Sequence, residues 1–154
     1  MTTIKFGQGR DLLAQSAWRV YFETSQRIRQ ALEARLKEDA GLSVSDFNAL
    51  LLLWEAPGRT LTMSALARKL VFSPSRLNYR IKVLEDAGLV VKSSCPSDGR
   101  AHNVALTEAG ARAFIAAGGR HRSYVDEMFL DHVSDEELEV IHRVFSRVSR
   151  ALPE

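Results

Sequence analysis

The feature that most constrains the fold is a break between two short helical segments near the middle of the chain, at the sequence VFSP (71–74). In this break Ser73 has the side chain of a helix N-cap, and Pro74 suits the first helical position, where no backbone N–H is needed. A second helix is therefore predicted from Pro74 to Ala87, closely following the first. Apolar residues repeat at helical spacing on both sides of the break. They are Leu66, Ala67 and Leu70 before it, and Leu77, Ile81 and Leu84 after it.

The sequence after Gly88 changes to the pattern of a β-hairpin. LVVKSS (89–94) is rich in β-branched and polar residues, PSDGR (96–100) supplies turn residues, and HNVAL (102–106) alternates again. The order of helix, turn, helix and hairpin over residues 62–107 is that of a winged helix-turn-helix domain. In such a domain the second helix can enter the DNA major groove while the hairpin reaches the neighbouring backbone or minor groove.

Longer amphipathic helices are predicted before this segment. From Asp11 to Lys37 apolar residues recur at spacings of three, four or seven, and Gly41 ends the helix. This helix would be roughly 40 Å long, too long for a small domain to cover, so part of it is expected to pack against another chain. A shorter helix is predicted to begin with Ser45 as its N-cap and to end at Pro57.

Two more helices are predicted to close the chain. Thr107 begins the first, in which the pair Gly118-Gly119 marks a weak point where a bend or a close helix crossing is expected. Ser134 and Glu137 form an S-x-x-E capping box at the start of the second. Apolar residues of these helices and of the first helix either form a dimer interface or fill the core of one chain. The candidates are Leu12, Leu13, Phe129, Ile141, Phe145 and Val148.

Composition narrows the class of protein further. The chain has 154 residues, of which 45% are hydrophobic, enough for one domain with a real core. Its single cysteine, Cys95, excludes an intrachain disulfide and favours a reducing cytoplasm. No apolar run resembles an export signal or approaches the roughly 18 to 20 residues of a membrane span, so no membrane association is expected.

Charge is unevenly distributed along the chain. The net charge is only +2, but residues 59–107 contain eight Lys and Arg against three Asp and Glu. Such concentration suits a face that displaces counterions from a polyanion, although an uneven solvated surface would look the same.

The sequence has no recognisable catalytic or metal-binding motif. It shows no nucleophile with a base, no paired carboxylates and no phosphate-binding glycine loop, which argues against an enzyme. Its histidines are scattered, and none stands near Cys95 at the close spacing typical of zinc ligands, so neither a metal nor a cofactor is expected. The histidines are His102, His121, His132 and His142.

Five short motifs at matching spacing resemble the MarR family of transcriptional regulators. They are SALA (64–67), SPS (73–75), LEDAGLV (84–90), DGR (98–100) and VALT (104–107). The resemblance extends over nearly the whole chain and implies a mainly α fold with a small β-hairpin wing. It also implies a single domain, 1–154, in which a winged helix-turn-helix part, 45–107, lies between dimerisation helices at 11–40 and 108–152.

The resemblance further implies a homodimer that binds double-stranded DNA at a pseudo-palindrome, most commonly as a repressor. The helix from Pro74 would read the major groove, Arg100 would enter the minor groove, and Asp98 would hold the wing turn. The residues implied in DNA binding are Ser73, Ser75, Arg76, Asn78, Tyr79, Lys82, Asp98 and Arg100. Ala101 and the pair Tyr79-Arg80 depart from the family pattern, which leaves register and sequence preference open.

Side-chain chemistry suggests how two of these residues could contact bases. Arg76 suits a bidentate contact to guanine and Asn78 one to adenine, but rotational placement on the helix decides which of them reaches a base edge. The competing hypothesis is a winged-helix scaffold that binds proteins without specific DNA contacts, since fold alone does not determine function. The basic second helix and Arg100 argue against the scaffold.

MarR-like proteins also bind small, commonly aromatic ligands between their dimerisation helices and winged domain. The resemblance therefore implies a pocket for a small aromatic or phenolic molecule, with an apolar aromatic wall and a few polar contacts. Its implied lining is Trp18, Arg19, Phe22, Trp54, His121 and Tyr124. The alternative is that these aromatic residues simply fill the core. Cys95 lies beside the wing and not in the first helix, where peroxide-sensing relatives carry their reactive cysteine, so a structural or incidental thiol is expected.

Overall fold

The structure, a computed structural model, describes the backbone of residues 9–95 and 98–153, and their side chains except those of residues 10, 95 and 98–100. Within these ranges it contains six α-helices and three strands. They are α1 (Arg10–Ala40), α2 (Val44–Glu55), β1 (Thr60–Thr62), α3 (Met63–Leu70), α4 (Pro74–Asp86), β2 (Val90–Cys95), β3 (Asp98–Leu106), α5 (Glu108–Met128) and α6 (Asp135–Ala151). The predicted mainly helical fold with a small β wing is confirmed. None of the described helices is both long and apolar enough to span a membrane.

Side-chain caps start three of the six helices where the sequence predicts. The Ser73 hydroxyl accepts the backbone N–H of Arg76 at the start of α4, with Pro74 in the first turn. Thr107 caps α5, and Ser134 with Glu137 forms a reciprocal capping box on α6. These bonds satisfy N–H groups that have no partner within the helix.

The predicted cap of α2 was wrong by two residues. Ser43, not Ser45, is the N-cap: its hydroxyl accepts the Asp46 N–H at 3.0 Å, and the Asp46 carboxylate accepts the Ser43 N–H at 3.2 Å. Only Ser43 has an acidic residue three positions later, so only Ser43 can complete a capping box. Ser45 lies inside the first turn.

The glycine pair in α5 is neither a break nor a close crossing. The helix continues from Glu108 to Met128, and a Cβ at Gly118 or Gly119 would meet nothing within 4 Å. The glycine that does approach another element is Gly110, in the first turn of α5, which packs against the backbone of Leu89. The contact joins α5 to the start of β2.

The sheet has one strand more than the predicted hairpin. Its order is β1-β3-β2, all antiparallel, with Thr60 opposite Ala105 and Val90 opposite Leu106. A strand of three residues is too short to show an alternating pattern, which is why β1 escaped sequence prediction. Its pairing ties the start of α3 to the wing.

The core lies where α2, α3, α4 and the sheet meet, directly behind α4. The predicted stripe of α4 is confirmed, since each of its three residues is only 1% exposed. Around it are packed the other core residues Leu50, Leu53, Leu66, Val90 and Val104. Between α3 and α4, Val71 adopts a left-handed conformation with φ 55°, unusual for a β-branched residue, and this closes the turn that sets the direction of α4.

Candidate DNA-binding surface

The face of α4 opposite the core is polar and exposed. Four of the exposed residues of α4 are spaced so that they share one side of the helix: Ser75, Asn78, Tyr79 and Lys82. Tyr79 is 66% exposed, an unusual position for a large aromatic side chain with no described packing role. The sequence therefore placed these four residues correctly on the open face of the helix.

Arg76 lies at the edge of this face and Ser73 at its N-terminal end. The Arg76 guanidinium stacks over the Phe72 ring, 4.0 Å from its centroid, which orients the charge without neutralising it. The Ser73 hydroxyl is occupied as the helix cap and lies 3.3 Å from the Ser75 hydroxyl. Lys82 pairs with Asp86 at 3.1 Å, so its charge is shared within the helix.

A groove of about 390 Å³ separates α4 from the wing strands. Thr62, Asn78, Lys92 and His102 contribute polar atoms to its lining. Across the groove the Lys92 ammonium donates a hydrogen bond to the Asn78 side-chain oxygen at 3.2 Å. α4 and the wing are thus joined by a polar contact on the exposed side.

Arg80 anchors α4 to the start of α2, a role that sequence reasoning missed. Its Nε donates to Asp46 Oδ1 at 2.9 Å, and its Nη2 donates to Asp46 Oδ2 and to the Ser43 hydroxyl. Asp46 is only 4% exposed, and the hydrogen bond that Arg80 donates to the Asp46 carboxylate raises the pKa of Arg80 above its ordinary value. The sequence does contain a signal for this role of Arg80. The pair Tyr79-Arg80 departs from the family pattern, because an arginine stands at a position where the family usually has an apolar residue.

The same hydrogen-bond network reaches α1. The Glu33 carboxylate of α1 accepts the Val44 N–H at 2.8 Å, next to the Ser43 cap. Beside this junction, a groove of about 700 Å³ between α1 and α4 is lined by basic side chains, among them Arg29, Lys37 and Arg76. The orientation of α4 is therefore tied to the long first helix.

The tip of the wing carries the remaining predicted DNA contacts. The backbone of β3 begins at Asp98, which pairs with Cys95 across a register shift. The side chains of Asp98, Arg100 and Cys95 lie outside the described part of the structure, so their predicted roles stay predictions.

Comparison with known proteins places this architecture in a family. The model of the MarR family matches residues 40–101, which run from the end of α1 into the wing. AbsC, a MarR family transcriptional regulator from Streptomyces coelicolor with a known crystal structure, has 31% sequence identity to this chain. The two structures match with a TM-score of 0.85 over 89% of this chain and 92% of AbsC. The chain belongs to the MarR family.

Two further relatives agree with this assignment. Sco3205 of S. coelicolor, a MarR family regulator solved in complex with DNA, is 28% identical with a TM-score of 0.88, covering 91% of this chain and 88% of Sco3205. An uncharacterized HTH-type transcriptional regulator of Bacillus subtilis, YdgJ, is 26% identical over 123 residues, 80% of this chain and 73% of YdgJ. The resemblance read from the five sequence motifs is confirmed.

The predicted ligand-pocket residues of this MarR regulator fall into two separate groups within one protomer. Trp18, Arg19 and Phe22 line a shallow exposed groove on the N-terminal half of α1. Tyr124 donates its hydroxyl proton to Asp39 near the other end of α1, 21 residues and therefore about 30 Å away. The length of α1 separates the two groups.

The other two predicted residues belong with Tyr124, at the junction of α2 and α5. His121 packs on Phe47, with ring centroids 4.3 Å apart, and Trp54 packs on Phe114 at 5.6 Å. His121 and Trp54 therefore take part in aromatic packing between the winged part and α5. For these two residues this agrees with the alternative interpretation, in which the predicted pocket residues simply fill the core. Among the described residues no cluster of three or more His, Cys, Asp and Glu side chains is placed to hold a metal ion.

His121 is a titratable side chain at this junction. Its Nδ1 is buried without a hydrogen-bond partner in the described structure, and burial lowers the pKa of the imidazole below its ordinary 6.5. Burial against Phe47 disfavours the protonated form of the His121 ring.

We expect the free energy of unfolding of this protein to decrease when the pH drops below about 6.5. In this range the unfolded chain binds a proton at His121 that the folded protein resists, so the free energy of unfolding decreases until the lowered folded pKa is passed. Above 6.5 this contribution is constant. Urea unfolding from pH 5 to 8 should show a smaller loss at low pH in His121→Phe, whereas His142→Gln, on the exposed surface of α6, should behave like the wild type. Identical pH profiles for His121→Phe and the wild type would contradict this role.

Proposed function

We propose that this MarR regulator binds specific double-stranded DNA sites as a homodimer, reading the major groove with α4 and the minor groove with the wing, and that it acts as a repressor. The observation that carries the proposal is the two-sided character of α4. One side is buried to 1% exposure in the core, and the opposite side presents Ser75, Asn78, Tyr79 and Lys82 to solvent. A helix held this way can enter a major groove without losing its packing.

Relatives and charge support the same function. Sco3205, a relative with 28% identity over 91% of this chain, was solved in complex with DNA. The concentration of positive charge between residues 59 and 107 coincides with the segment that contains α3, α4 and the wing. Cationic side chains there would release counterions from the phosphate backbone. The single cysteine and the DNA target together support a cytoplasmic protein.

The homodimer is supported by an apolar surface that one chain leaves exposed. The Trp18 ring of α1 contacts the rings of Tyr21 and Phe22 at centroid distances of 5.7 and 5.9 Å, Tyr21 meets Phe145 of α6 at 5.1 Å, and each of these rings is at least 40% exposed. Of the six predicted interface residues, Leu12, Leu13, Phe145 and Val148 are exposed, while Phe129 and Ile141 are half-buried. Contiguous exposed apolar surface of this kind marks an interface. A two-fold dimer would place its two α4 helices about 34–36 Å apart, one turn of DNA.

The proposal includes release by a small aromatic or phenolic ligand. One protomer keeps Trp18 about 30 Å from Tyr124 along α1, so a site that contains both groups needs α1 of a second protomer. A ligand in such a site would control DNA binding only by favouring one spacing of the two α4 helices. The site would then be complete only in the dimer.

DNA binding predicts a defined pattern of losses in affinity. We expect Arg76→Ala and Arg100→Ala each to weaken binding to a selected site about tenfold or more, because a base contact contributes about 1–3 kcal/mol. Arg122→Ala removes the same charge from the exposed side of α5, where Arg122 pairs with Asp126 at 2.8 Å, and should change affinity less than about twofold. Affinities would be measured by fluorescence anisotropy at several salt concentrations.

The site itself would come from selection on a random double-stranded DNA library with the purified protein. Enrichment of a pseudo-palindrome with half-sites about 10 base pairs apart would support the dimeric regulator. Equal losses for all three arginine variants, or no enrichment at low salt, would favour the protein-interaction scaffold instead.

A further inference from the structure

We propose that Lys92 fixes the side-chain amide of Asn78 so that the protein reads guanine, and rejects adenine, at one position of each half-site. The proposal rests on the DNA-binding function above and names what one side chain on α4 recognises. Lys92 is a positioning residue here, because it acts through Asn78.

The contact between the two side chains determines which end of the amide faces outward. The Lys92 ammonium lies 3.2 Å from the Asn78 side chain. An ammonium has three donors and no acceptor, so its partner must be the amide oxygen and not the amide nitrogen. With the oxygen turned towards β2, the two N–H donors of Asn78 are left for the exposed face of α4.

Lys92 is itself held in place by independent contacts. Its backbone N–H donates to the Glu85 carboxylate of α4 at 3.1 Å, and it pairs across the sheet with Val104, which is fully buried. Asn78 and Glu85 are separated by about two helical turns, roughly 10 Å along α4. Lys92 therefore contacts α4 at two levels, through its backbone and through its side chain, and the strand pairing limits its movement.

The chemistry of base edges converts this orientation into specificity. Adenine presents the N7 acceptor beside the N6 donor, so an asparagine pairs with it through two hydrogen bonds only when its amide oxygen and nitrogen both face the base. Guanine presents two acceptors, N7 and O6, both of which an amide NH₂ can contact. With the amide oxygen turned towards Lys92 and away from the base, adenine would leave its N6 donor unpaired, and an unpaired buried donor is costly. An asparagine side chain could otherwise pair with adenine, and the contact with Lys92 disfavours that pairing.

The test is selection from a random double-stranded library with four proteins: the wild type, Lys92→Met, Asn78→Ala and the double variant. Asn78→Ala identifies the position that Asn78 reads, because base preference there should flatten. At that position the wild type should prefer guanine, and Lys92→Met should shift the guanine-to-adenine ratio towards adenine by about fivefold or more. Lys92→Arg, which keeps a donor-only cation, should restore part of the guanine preference.

The possible results separate this assignment from the proposed function. The double variant should match Asn78→Ala, because Lys92 has no base preference of its own. An unchanged guanine-to-adenine ratio in Lys92→Met, with only a uniform loss of affinity, would overturn the assignment and make Lys92 a simple phosphate contact. No enriched site even for the wild type would overturn the proposed function and the assignment with it. Circular dichroism of each variant confirms that the fold is kept.

Discussion

Replacing Arg80 with methionine is expected to lower the free energy of unfolding by about 3–5 kcal/mol. Arg80 forms a bidentate pair with Asp46 and also bonds the Ser43 hydroxyl. Methionine keeps the length and the apolar stem of the side chain but removes all these donors. The Asp46 carboxylate, 4% exposed, would then remain buried without its cation, which is the costly step.

The double variant Arg80→Met with Asp46→Asn tests that explanation. A neutral amide can still accept the Ser43 N–H, so we expect the double variant to recover at least about half of the loss. Arg76→Met is the matched control, because Arg76 lies one turn earlier on α4 and is exposed. Loss of the contact between Arg76 and Phe72 should lower the free energy of unfolding by at most about 1 kcal/mol. The measurement is urea unfolding followed by tryptophan fluorescence. A loss for Arg80→Met no larger than that for Arg76→Met would show that the pair contributes little.

Replacing Gly110 with alanine is expected to cost about 3 kcal/mol or more, because the added methyl group has no space. A Cβ at this position would overlap the backbone oxygen of Leu89 and lie 2.8 Å from Leu106 Cδ1. A backbone oxygen cannot rotate away as a flexible side chain can, so α5 would have to move relative to the sheet. The change disturbs the junction between the winged part and the closing helices.

Gly119→Ala in the same helix is the control for Gly110→Ala. A Cβ at Gly119 would meet nothing within 4 Å, and alanine favours the helix over glycine by roughly 0.5–1 kcal/mol. The two glycine-to-alanine changes should therefore have opposite signs in the same unfolding experiment. A Gly110→Ala protein as stable as Gly119→Ala would mean that α5 does not pack tightly on Leu89.

Several features of this protein were predictable because their causes are local in sequence. Ser73 caps α4 through an N–H three residues away, and Pro74 needs no partner at all. The stripe of Leu77, Ile81 and Leu84 required only the period of the helix. The open face of α4 followed from the same period, since the residues off the stripe must lie elsewhere on the helix. These short-range rules were enough to predict the fold class and the face of the candidate site.

Of the wrong predictions, one has a local cause and one has a long-range cause. Ser43 and Ser45 both carry a hydroxyl, and the choice between them depended on Asp46, three residues after Ser43. β1 has three residues, fewer than any periodic pattern needs, and it exists because β3 offers it a partner across more than 40 residues of sequence. Such a strand is decided by pairing and not by its own composition.

The sequence by itself determined the helices, their caps, the winged order of elements and the polar face of α4, because each depends on side chains within about one helical turn. Only the tertiary structure decided that Arg80 pairs with Asp46 across 34 residues, that Lys92 turns the Asn78 amide, and that Gly110 lies against Leu89. The physical reason is that these contacts depend on how separate elements pack, and packing is set jointly by many buried residues. A hydrogen bond or an overlap a few ångströms long cannot be read from spacing along the chain.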